Sequence, residues 1–116
     1  MKNSSSEYKF QNKITVYKKE PSFGKGPAQI MELVQKTNSL SKAYNIMGLS
    51  SSKGWKIIKK AEEDLGFELF HTVVGGKDGG YSTLSTEGEE FLKKYQAFRD
   101  ELHKKSEEIF KKHFPD

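Results

Sequence analysis

The sequence predicts a mainly α-helical fold with one small β-hairpin and a long last helix. Three observations carry that expectation. Apolar residues recur at helical spacing in four stretches between residues 27 and 114, and two short β-prone runs flank a glycine-rich loop at 75–80. The 116 residues suffice for one hydrophobic core, whereas two cores of half that size would not offset chain entropy.

Taken in order, residues 1–7 read as a disordered tail. From Tyr8 to Tyr17 the apolar residues Tyr8, Phe10, Ile14 and Val16 occupy even positions, the pattern of a half-buried edge strand. A break follows over Phe23, Gly24, Lys25, Gly26 and Pro27, with Pro27 suited to open a helix because it has no amide hydrogen to leave unpaired. The first helix carries the stripe Ile30, Met31, Leu33 and Val34 and ends near Thr37, Asn38 and Ser39. A short second helix to Met47 presents Leu40, Ala43, Tyr44 and Met47, and Gly48 supplies the turn. Ser50 is placed to cap a third helix, Ser51 to Leu65, in which Gly54, Ile58, Ala61 and Leu65 recur at spacings of four, three and four. Phe67 to Val74 and Tyr81 to Leu84 form the hairpin around the loop. Ser85 caps a last helix from Thr86 to Phe114 whose residues Phe91, Tyr95, Phe98, Leu102 and Ile109 keep near-heptad spacing. Two short helices joined by a glycine turn, followed by a hairpin, make a winged helix-turn-helix over residues 8–85, with 86–116 as a C-terminal helix. That helix is too long for so small a domain to cover, so the expected cover is the same helix of a second copy in a homodimer.

Charge is distributed unevenly. Residues 1–61 hold twelve lysines and three acids, 62–85 one lysine and five acids, and 86–116 seven bases and eight acids. A basic first half leading into a helix of alternating charge fits a protein that meets polyphosphate with one face. The absence of cysteine excludes disulfides, thiolate nucleophiles and Cys-rich zinc modules. The three histidines, His71, His103 and His113, are scattered, and the loop GGKDGG lacks the strand-to-helix setting and the GK[ST] ending of a nucleotide loop. No enzyme, no cofactor and no metal site is expected. Without a run of eighteen apolar residues or a signal-like start, no membrane association is expected either, and the location expected is the cytoplasm.

The stretch SLSKAYNIMGLSSSKGWKIIKKAEEDLG, followed by ELF, GGKDGG and LSTEGEEFL, resembles the N-terminal DNA-binding domain of the molybdate-responsive (ModE-type) transcription regulators, and more distantly the winged domain of LysR-type regulators. The likeness covers about Phe23 to Leu102 and is most specific in the Phe-Gly-Lys-Gly-Pro lead-in, Trp55 and the Gly-Gly-Lys wing. It implies a dimeric transcription regulator of double-stranded DNA: the third helix reads the major groove, the wing touches the adjacent backbone and the last helix dimerises. Three departures stand out. The family's molybdate-binding domain is not expected in a chain ending at Asp116. His71 stands where an arginine often follows Leu-Phe, a weaker phosphate anchor near neutral pH. Asp78 and Tyr81 stand where the family wing often has glycine.

The residues expected to meet DNA follow from donor chemistry. Ser51, Ser52, Lys53 and Lys56 begin the third helix, where side chains reach base edges, with Lys60 further along the same helix. Ser51 and Ser52 have an equal reading as helix caps. Ser41 and Lys42 on the second helix, and His71, Thr72, Gly76 and Lys77 on the wing, offer hydroxyl, amide and cationic donors to phosphate. Trp55 reads as a core or groove-edge packing residue rather than a base stacker. Phe91, Tyr95, Phe98, Leu102 and Ile109 are the expected dimer interface. A second functional reading stays open: the same fold as a protein-interaction adaptor, its lysines matching an acidic partner.

Overall fold

The computed structural model describes residues 7–73 and 81–115. Their elements run α1 (Lys25–Thr37), α2 (Leu40–Ile46), α3 (Ser51–Leu65), β1 (Phe70–Val73), β2 (Tyr81–Leu84) and α4 (Thr86–His113). The architecture is mainly helical, with one two-stranded antiparallel hairpin in the register Phe70↔Leu84 to Val73↔Tyr81 and a long C-terminal helix. The loop residues Gly76 and Lys77, and residues 1–6 of the expected tail, lie outside the described residues.

Side-chain caps open three of the four helices. The Ser39, Ser50 and Ser85 hydroxyls accept from the backbone N–H groups of Lys42, Lys53 and Gly88 at 3.0, 3.1 and 2.8 Å, opening α2, α3 and α4. Helix α1 begins two residues before Pro27. The proline is still within the first four residues, whose amides have no partner inside the helix, so no bond is lost. Gly48 (φ +71°) turns the chain between α2 and α3, and Gly66 (φ +90°) ends α3, both in the left-handed region that glycine enters without steric cost.

The core lies where α1, α2, α3 and the first half of α4 meet. Phe23, Ile30, Met31, Val34, Ala43, Ile58, Ala61, Leu65, Leu69 and Leu92 are buried there. Phe23 meets the rings of Phe91 and Tyr95 edge-on, with centroids 4.7 and 5.1 Å apart. Gly54 lets α3 pass over Tyr44, since a Cβ at that position would collide with the ring. The hairpin is tied back to α1 by the Ser82 amide, which donates to the Asn38 carbonyl at 2.9 Å.

The segment from Tyr8 to Tyr17 is not the expected edge strand. Its ladder pairing is a single antiparallel bridge, Val16↔Phe23. Its first half instead lies along α4: Phe10 packs on Phe110 and His103 (centroids 4.8 and 5.5 Å), Tyr8 meets Phe114, and the Asn12 side-chain amide donates to Ser106 Oγ at 3.1 Å. Period-two alternation reports an extended chain with one apolar face, and a helix can cover that face as well as a sheet can.

The turn after this segment is held by one carboxylate. The amides of Lys18, Lys19 and Glu20 donate to Asp64 at 2.8, 2.8 and 3.0 Å, and Ser22 Oγ adds a fourth bond at 3.0 Å. Those bonds, led by that from Lys18, hold the Asp64 carboxyl well below its ordinary value of 3.8. A depressed folded pKa contributes stability above the unfolded value and loses it as pH falls, so the Asp64 contribution is present above about pH 4 and is lost progressively as pH falls below that toward the depressed folded value. Asp64→Asn, which keeps an acceptor but removes the charge, is therefore expected to be less stable than wild type at pH 7, with the difference shrinking below about pH 4. Urea midpoints measured from pH 7 to pH 2 check this, and parallel acid limbs for the two proteins would contradict it.

Candidate nucleic-acid interface

Among the helices of the described residues, α3 carries the densest set of lysines without an ion partner. Its inward side is Gly54, Ile58, Ala61 and Leu65, the four residues that the sequence spacing assigns to the core. At 100° per residue, the opposite side holds Ser52, Lys56, Lys60 and Glu63, with Lys53 and Trp55 at its two margins. Ser51, Ser52, Lys53, Lys56 and Lys60 are all exposed. Because Ser50 makes the cap, the Ser51 and Ser52 hydroxyls are not engaged in capping α3.

The lysines of α3 are not equivalent. Lys59 is half-buried, its ammonium 3.7 Å from Glu62 Oε1 and over the Trp55 ring at 5.8 Å from the centroid. Among the described residues, Lys53, Lys56 and Lys60 form no ion pair. Glu62 is also a structural anchor: its other oxygen accepts from the Leu69 amide at 2.8 Å, fixing the chain between α3 and β1. Three unpaired ammonium groups on one helix face make a local positive field that a multivalent anion can neutralise.

The remaining expected contacts are spread over α2 and the hairpin. Ser41 and Lys42 are exposed in the first turn of α2. His71 and Thr72 are exposed on β1, but the Thr72 hydroxyl already shares a hydrogen bond with Ser82 Oγ at 3.1 Å, its cross-strand partner. Gly76 and Lys77 fall in the loop outside the described residues.

One expectation is narrowed and another needs correction. Of the two packing places expected for Trp55, the core is ruled out by its 57% exposure. The residue follows the inward-facing Gly54, and one helical step carries its side chain out to the rim of the buried stripe. The expected dimer stripe on α4 is also divided. Tyr95 is 5% exposed and donates its hydroxyl to the Ile14 carbonyl at 3.0 Å, and Phe91 is half-buried against Phe23 and Phe67. Both belong to the chain's own core, because the first half of α4 is part of the domain rather than an extension from it. Phe98, Leu102 and Ile109 remain exposed, while the Tyr8–Asn12 segment covers an adjacent face of the same helix.

A groove of about 970 Å³ lies between the extended segment, α1 and α4, with Ile14, Ala28, Tyr95 and Arg99 in its wall. Arg99 is engaged there by Asp100 at 3.1 Å and Glu32 at 3.6 Å. None of the residues expected to meet DNA lines it. Among the described residues, no group of three His, Cys, Asp or Glu is placed to hold a metal ion, and no helix is long and apolar enough to cross a membrane. No protein-family model matches this chain, and no curated protein matches it in sequence.

Proposed function

We propose that this chain is a sequence-specific double-stranded-DNA-binding transcription regulator of the winged helix-turn-helix type, acting as a homodimer. The observation that carries the reading is the outward face of α3, where Lys53, Lys56 and Lys60 are exposed and have no ion partner among the described residues, while Gly54, Ile58, Ala61 and Leu65 anchor the helix to the core. In this reading α3 enters the major groove, its first turns meet base edges, and Lys60 meets phosphate further along. Ser41 and Lys42 of α2 and the hairpin residues His71 and Thr72, with Gly76 and Lys77 of its loop, contact the flanking backbone. Phe98, Leu102 and Ile109, spaced for a helix seam, join the two copies. The likeness to ModE-type DNA-binding domains in the segments quoted above points the same way.

The test is selection of duplexes from mixed genomic fragments, followed by a salt titration on the enriched site. The expected outcome is a two-fold-symmetric site, with affinity falling steeply as salt rises, the logarithmic slope gaining about 0.9 for each phosphate neutralised. Lys53→Ala is expected to relax base preference at one position of that site, whereas Lys77→Ala weakens all sequences alike and lowers the slope by about 1. Binding insensitive to salt, with no fragment enriched, would overturn the proposal.

A further inference from the structure

We infer that Trp55 is a specificity-determining residue, its indole reading the C5-methyl group of a thymine in the major groove. The inference rests on the DNA-binding reading of α3 and adds a base identity to it. A 57% exposed tryptophan leaves a large apolar surface in water, and aromatic side chains in such settings are the usual anchors of recognition surfaces.

The surroundings of Trp55 select the partner. Lys53, Lys56 and Lys60 share its helix and have no ion partner among the described residues. A purely apolar protein surface covering Trp55 would have to dehydrate these ammonium groups without compensation. A duplex supplies phosphates for the lysines together with a groove for the ring. The major groove is about 12 Å wide and a helix with its side chains is 10–12 Å across, so residues at the helix margin, such as Trp55, come against the groove walls and base edges. The only apolar group that a base pair displays there is the thymine methyl.

The indole is also held in position before any partner arrives. Lys59 lies over the ring at 5.8 Å from its centroid, Glu62 fixes Lys59 at 3.7 Å, and the Leu69 amide fixes Glu62 at 2.8 Å. This chain of contacts links the ring to the backbone leading into β1, so less side-chain freedom remains to be lost on binding.

The experiment uses the full chain and random-sequence duplexes. Sites are selected separately by wild type, Trp55→Phe and Trp55→Ala, and each thymine in the wild-type site is then replaced by deoxyuridine, which removes only the methyl. The expected result is one thymine per half-site at which uracil weakens wild-type binding roughly three- to fourfold, the effect of one buried methyl group. Trp55→Phe retains part of that discrimination, and Trp55→Ala loses it and no longer enriches thymine there, while keeping the salt dependence of wild type. Wild-type binding indifferent to uracil at every position would overturn the inference and leave the DNA-binding reading intact. So would a loss in Trp55→Ala that is equal for all sequences, since that outcome assigns the indole to the backbone. Failure of wild type to enrich any duplex would overturn both.

Discussion

Gly88→Ala is expected to lower the stability of this protein by about 2–3 kcal/mol, a cost typical of overpacking a rigid site. A Cβ on Gly88 would collide with the Leu69 carbonyl oxygen and approach Ser85 Oγ to 2.9 Å. Neither group can retreat easily. The Leu69 carbonyl accepts from the Ser85 amide at 2.9 Å, Leu69 is fully buried, and Ser85 Oγ donates to the Glu68 carbonyl while capping α4. The usual gain of up to about 1 kcal/mol when alanine replaces glycine in a helix is too small to offset that collision. Gly26→Ala is the matched control: its Cβ would meet Ile57 at 3.6 Å, an ordinary contact, so that variant should be neutral or slightly stabilised. Urea unfolding followed by circular dichroism measures both. Equal stability for Gly88→Ala and wild type would show that the start of α4 yields where the packing says it is fixed.

Simultaneous exchange of Lys53, Lys56 and Lys60 for glutamine is expected to weaken duplex binding about a hundredfold at physiological salt while leaving the fold intact. The phosphate contact of Lys60 is worth about fivefold in affinity near 0.15 M salt and about 0.9 in the logarithmic salt slope, and the base-edge contacts of Lys53 and Lys56 are worth about 1 kcal/mol, or about fivefold, each. The three side chains are exposed and unpaired among the described residues, so their removal takes nothing from the core. Lys59→Gln should cost less in affinity, because its charge is already partly answered by Glu62. Fluorescence anisotropy at several salt concentrations checks both expectations. An unchanged slope in the triple variant would place the DNA contact elsewhere on the molecule.

How far the sequence could be read depended on whether a residue's partner was local. Helix α3 was legible to both ends because all its determinants lie within it or beside it: Ser50 caps it, four small or apolar residues keep one side inward, and Gly66 ends it. The start of α4 was legible for the same reason, through Ser85. In the Tyr8–Tyr17 segment alternation picks out Phe10, Ile14 and Val16, which are half-buried, but it says nothing about which surface accepts them, and Phe110 lies far along the chain. The carboxylate of Asp64 gave no signal, since three of its four partners are backbone amides, which have no sequence signature. The apolar stripe of α4 misled in its first half because heptad-like spacing is shared by a seam between two chains and by a helix laid on its own core. Phe23, with its ring against both Phe91 and Tyr95, decides between them.

The contact between the extended segment and α4 also has a consequence for the order of assembly. Asn12 and Ser106 are 94 positions apart, whereas the caps of α2, α3 and α4 close over three. Contacts of such separation pay their loop entropy before any packing repays it, so they form after the local helices are in place. On a ribosome this seam cannot close until the last turns of α4 have emerged. The second half of that helix therefore waits, with Phe110 uncovered, for a segment that was synthesised first.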